Sequence, residues 1–160
     1  ACELIRLFKS QGFTVRPVMT RGATQFIKPL SVAALAEHPV YEKLFDLKDE
    51  TEMGHIRLSR ESDVVVVAPA SADIIAKMAQ GMADDLATSI LLASNKPIFV
   101  APAMNVQMFE HPATQRNLAQ IEADGVRIIQ PESGELACGE VGQGRMAEPA
   151  TILNAIEEVL

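Results

Sequence analysis

The chain has 160 residues, a formal net charge of -7, and 48% hydrophobic against 22% charged residues, which suits one ordinary globular domain and argues against disorder. An acidic chain with a pI near 4.9 is a poor partner for a nucleic-acid phosphate backbone, and no apolar run approaches the roughly 20 residues a membrane-spanning helix needs. Its two cysteines, Cys2 and Cys138, are too few for a disulfide framework, so both are expected as reduced thiols in a cytoplasmic protein.

Leu4, Ile5, Leu7 and Phe8 lie among Glu3, Arg6 and Lys9 in the pattern of an amphipathic helix that stops at Gly12. A strand is expected over residues 14–19, with Pro17 placing it at an edge or a bulge. Residues 20–24 lead into a short helical stretch through Phe26, and Ser31 is placed to cap a helix over 32–37. The polar stretch 38–54 reads as a long surface loop.

The middle of the chain is the most legible. Residues 63–68 form a β-branched run of the kind that is buried on both faces of a parallel sheet. Pro69-Ala70-Ser71 ends it, and Ser71 can cap a helix over 72–79 that Gly81 breaks. A helix over 84–93, a strand over 97–101 closed by Pro102, a helix over 112–123 ended by Gly125, and a strand over 126–129 follow. Residues 130–148 read as a glycine-rich loop, and Pro149 opens a final helix. Nothing divides residues 1–160, so the expected architecture is one α/β domain, a doubly wound parallel sheet with helices on both faces. Such folds begin on a strand whose turn builds part of a ligand site. This chain begins on a helix, so that strand and turn are expected ahead of Ala1.

Ligands of open α/β sheets bind beyond the carboxyl ends of the strands. The segments there are 20–24, 69–73, 102–109 and 131–148. The turn at Ser71 offers free helix N–H groups suited to an anionic or carbonyl-rich ligand, although Ser71 and Thr20 also read as plain caps. Asn105 can fix a carboxylate or cap a helix. His55 can serve as an acid or base near neutral pH or be a helix-start or surface histidine, and His38 and His111 read as histidines of that second kind. Cys138 lies between glycines in a long loop that ends in Arg145, which favours a reactive thiol on a mobile flap over a chance cysteine. Gly139, Gly142 and Gly144 do not make a dinucleotide fingerprint, and no residues have metal-site spacing.

Met53-Gly54-His55-Ile56, Ala68-Pro69-Ala70-Ser71-Ala72-Asp73, Pro102-Ala103-Met104-Asn105-Val106-Gln107-Met108 and Ala137-Cys138-Gly139 stand together in this order. With them the whole chain resembles the flavin-containing cysteine decarboxylases, nearest the branch that acts on phosphopantothenoylcysteine in coenzyme A biosynthesis. The resemblance implies FMN as cofactor, with Thr20, Phe26, Ser71, Ala72, Asp73 and Met104 around it. It makes His55 the residue required for decarboxylation, Asn105 the holder of the substrate carboxylate, and Cys138 the acid of the final reduction. Met108, Ala137, Gly139 and Arg145 join Asn105 around the substrate. It further implies a Rossmann-like fold, a homotrimer or a dodecamer built of trimers, and a ligase domain fused in some members. A peptidyl-cysteine decarboxylase and a non-catalytic flavin-binding regulator are the rival readings.

Overall fold

The β-branched run becomes a strand because alternate residues find apolar partners on both sides. In the computed structural model, which describes residues 1–44, 54–135 and 141–160, strand β1 (Val65–Ala70) pairs in parallel with β2 (Ile98–Pro102), and β2 with β3 (Arg127–Ile128). Val65, Val67, Ile98, Val100 and Ile128 point to one face. There they meet Ile74, Ile75, Leu91, Leu118 and Ile121. Val64, Val66, Ala68, Phe99, Ala101 and Ile129 point to the other, against Leu4, Ile152 and Ile156. This period-2 division of one sheet between two cores is what a doubly wound fold requires.

The helices in chain order are α1 (Cys2–Ser10), α2 (Ala23–Phe26), α3 (Pro29–Ala36), α4 (Gly54–Glu61), α5 (Ala72–Ala79), α6 (Leu86–Ala93), α7 (Val106–Glu110), α8 (Pro112–Ala123) and α9 (Pro149–Glu157). Helices α5, α6, α7 and α8 supply the first core, and α1 and α9 the second. A third cluster joins Leu58 of α4 to Leu86 and Ile90 of α6, with Val18 and Tyr41 at its margin.

Two boundaries move, since β1 runs on through Pro69 to Ala70 and Asp85 caps α6 from Leu86, and four larger expectations change. Residues 14–19 form no strand: Val18 makes a single bridge to Tyr41, because Pro17 has no amide hydrogen to extend a ladder. Among the described residues, only the Pro17 carbonyl and the Met19 amide are used, both against Tyr41. Val64–Val67 is half-buried rather than sealed on both faces, since β1 lies at one side of the three-stranded sheet with β2 as its paired neighbour among the described residues. The helix before residue 37 starts at Pro29, so Ser31 lies inside it and Lys28 is its cap residue. Proline fits the first turn, where its missing donor costs nothing.

The fourth change bears on the site. The segment 130–148 contains an antiparallel hairpin, β4 (Glu132–Glu135) and β5 (Val141–Arg145), in which Gly134 lies opposite Gly142. The intervening residues 136–140 are outside the described set. At its base, the Glu148 amide donates to the Glu132 carboxylate and Arg145 pairs with Glu148. No helix among the described residues is long and apolar enough to cross a membrane.

Ile152 on α9 is fully buried beneath the sheet. Ile152→Ala should lower unfolding free energy in urea by about 2–5 kcal/mol. A loss below about 0.5 kcal/mol, the size typical of a surface change, would show that α9 is not part of the cooperative core.

Candidate functional site

Strands β1 and β2 pair in one register through Val67 and Val100, shift at an irregularity, and pair again at Ala70 and Pro102. One residue on, the Ala103 amide donates to the Ala70 carbonyl at 2.9 Å. The two chains therefore leave the sheet side by side, and each starts a helix. Ser71 caps α5, its Oγ accepting from the Ile74 amide at 3.5 Å. Asn105 caps α7, its Oδ1 accepting from the Met108 amide at 2.8 Å. The next amide, Met104 N–H, points instead to the hairpin and donates to the Gly144 carbonyl at 3.0 Å.

Between these turns lies an open groove of about 360 Å³ lined by Ala72, Asn105, Gln107, Met108, His111 and Thr114. Because the Asn105 carbonyl oxygen is held by its own helix, its amide NH₂ is the group left to donate to a ligand. His111 caps α8, with Nδ1 accepting from the Ala113 amide at 3.1 Å. A neutral ring in that role carries its hydrogen on Nε2, a second donor on the groove wall. No sequence motif marks Gln107, His111 and Thr114 as ligand contacts. The His111-Pro112 pair, a cap followed by proline at the first helical position, was the available signal.

The other candidates are more scattered. Thr20 Oγ1 accepts from the Ala23 amide at 3.2 Å, and Phe26, 93% exposed, ends α2; neither lines the groove. Asp73 stands in the first turn of α5, 3.4 Å from Lys77, whose ammonium also lies 3.2 Å from Asp84. The hydrogen bond to Asp84 raises the Lys77 pKa, and the same bond lowers that of Asp84. Arg145 is exposed and paired with Glu148. The backbone of His55 lies in the first turn of α4; its side chain, like Ala137, Cys138 and Gly139, is outside what the structure describes. Cys2 is a half-buried free thiol on α1. No metal-binding cluster occurs among the described residues.

A parallel sheet wound on both faces, with two capped helix starts and an arm at its carboxyl edge, is a doubly wound α/β protein with the edge at which such folds hold their ligands. The chain matches the family model described as Flavoprotein over residues 1–160, and it belongs to that family. It is 46% identical over 156 residues to the coenzyme A biosynthesis bifunctional protein CoaBC of Haemophilus influenzae, covering 98% of this chain and 39% of that protein. The chain thus spans about two-fifths of the curated relatives it matches. Among solved structures it is similar to a PPC decarboxylase variant complexed with pantothenoylaminoethenethiol, with a TM-score of 0.81 and 36% identity over 98% of this chain and 87% of that one. It is also similar to the FMN binding protein AtHal3, with a TM-score of 0.81 and 34% identity over 99% and 90%.

The cap role of Asn105 is separable from any ligand role. Asn105→Ala should cost about 1 kcal/mol of stability, whereas Asn105→Asp, which keeps a capping oxygen, should cost only a few tenths. Equal losses in thermal unfolding would mean that Oδ1 does not hold α7.

Proposed function

We propose that this chain is an FMN-dependent decarboxylase domain that converts phosphopantothenoylcysteine to phosphopantetheine. The observation that carries the reading is the groove in which the free amide of Asn105 stands beside Ala72 and Met108. Its support is the likeness to a PPC decarboxylase that accommodates a pantothenoyl thiol.

The residues fit the cofactor. Helix α5 starts at the carboxyl end of β1, and the amides of its first turn have no intrahelical acceptors. Ser71, Ala72 and Asp73 would meet the carbonyls or phosphate of FMN there, and Thr20, Phe26 and Met104 are the proposed further contacts. When bound, FMN supplies the two-electron acceptor that oxidises the substrate's CH₂–SH group, making the neighbouring carboxylate able to leave as CO₂, and then returns the electron pair.

The protein's own residues do the rest. Asn105 orients the substrate carboxylate through its amide NH₂ while Oδ1 keeps the side chain fixed. Met108, half exposed on the groove wall, packs against the apolar part of the substrate. Arg145, Ala137 and Gly139 are the further proposed substrate contacts. His55 handles the proton of the decarboxylation step. The Cys138 thiol gives up the proton that completes the reduced product and is reprotonated from water. On this reading the protein acts in the cytoplasm as a homotrimer or a larger assembly of trimers, alongside a ligase domain, which the bifunctional nature of its relatives supports.

Three variants test the assignments. Asn105→Asp should raise KM at least about tenfold, since a charge-assisted hydrogen bond is replaced by repulsion; an unchanged KM removes the carboxylate contact. Cys138→Ser should still release CO₂ and accumulate the oxidised enethiol; normal phosphopantetheine formation would overturn its role as acid. His55→Asn should keep the yellow flavin but release no CO₂, and surviving turnover would leave His55 only a structural part.

A further inference from the structure

Glycines in the 130–148 segment differ in what surrounds them. At Gly144 φ is +139° and a Cβ would stand 2.3 Å from the Met104 carbonyl oxygen. Two residues earlier, on the same face of β5, a Cβ at Gly142 would stand 2.8 Å from Cγ2 and 3.2 Å from Cγ1 of Val106. Gly134, across the hairpin from Gly142, is unlike both. A Cβ there meets only the Arg145 side chain, at 3.6 Å, an ordinary contact. The contact between β5 and the segment on either side of Asn105 is therefore made by bare backbone at Gly142 and Gly144. The Met104 amide closes it by donating to Gly144 at 3.0 Å.

We propose that Gly142 and Gly144 are positioning residues: they let β5 lie directly on Met104–Val106 and so set the distance and register at which the hairpin arm approaches Asn105. Val106 is the gauge against which Gly142 is fitted. The glycines serve close approach here, and a strand bearing a side chain at either position must stand off. Arg145 ends β5, so a displaced β5 displaces this proposed substrate contact relative to Asn105. For its consequence in catalysis the inference rests on the proposed function. The docking itself does not.

The test is a double-mutant cycle read in two ways, by hydrogen exchange at the Met104 amide and by kcat/KM for CO₂ release from phosphopantothenoylcysteine by the FMN-loaded protein. Gly142→Ala should speed Met104 exchange and lower kcat/KM, each by about tenfold or more. In a Val106→Ala background the same change should cost less than about threefold, because the colliding methyl groups are gone. Gly144→Ala should not be rescued by Val106→Ala, since its collision is with a backbone oxygen. Gly134→Ala should match the parent protein in both readouts. Equal effects of Gly142→Ala with and without Val106, or equal effects of Gly134→Ala and Gly142→Ala, would overturn the proposal. If Gly142→Ala alone does not fold, a folded double variant with a protected Met104 amide supports it, and a double variant that also fails to fold contradicts it. A parent protein that releases no CO₂ defeats the proposed function, and the exchange data still decide the docking.

Discussion

Two consecutive amides hold the carboxyl edge of this protein together. Ala103 N–H reaches back to β1 through the Ala70 carbonyl, and Met104 N–H reaches forward to β5 through the Gly144 carbonyl. Adjacent amides in extended chain point to opposite sides, so one short segment after β2 can fasten the sheet on one side and the hairpin on the other. Asn105, next in sequence, is thereby fixed between the Ser71 turn and the arm. The first bond ties the two helix starts together beyond the last strand pair, and the second ties the hairpin to the segment before α7.

The same economy recurs in the caps. Ser71, Asn105 and His111 each use one acceptor to satisfy an otherwise unpaired helix amide. The polar group left over on Asn105 and His111 is then a donor on a side chain that no longer rotates freely. A binding surface made this way needs little further ordering when a ligand arrives. It also lets an acidic protein meet an anionic ligand locally, through helix starts and amide donors, despite its net charge of -7.

Much of this was legible in the sequence. The β-branched run before Ala68, the cap positions Ser71 and Asn105, and the proline start of α9 each follow from a local preference that the tertiary structure respects. What was not legible depended on contacts distant in sequence. Residues 14–19 look like a strand until Pro17 is set against its lone partner, Tyr41. The glycines after residue 133 suggest looseness when read alone, whereas Gly142 and Gly144 are confined by Val106 and Met104, nearly forty residues away. His111 reads as a helix-start or surface histidine and does cap α8, but only the folding of α7 against α8 brings it to the wall that Asn105 also lines.

The central claim is that this edge binds a flavin and a cysteine-derived carboxylate together and separates CO₂ from the latter. The most direct measurement is mass spectrometry of phosphopantothenoylcysteine incubated with the purified protein and FMN under conditions of multiple turnover. The account predicts a product lighter by one CO₂, formed catalytically, with the flavin returned to its oxidised absorption spectrum. Unchanged substrate in the presence of a protein that has bound FMN would contradict it.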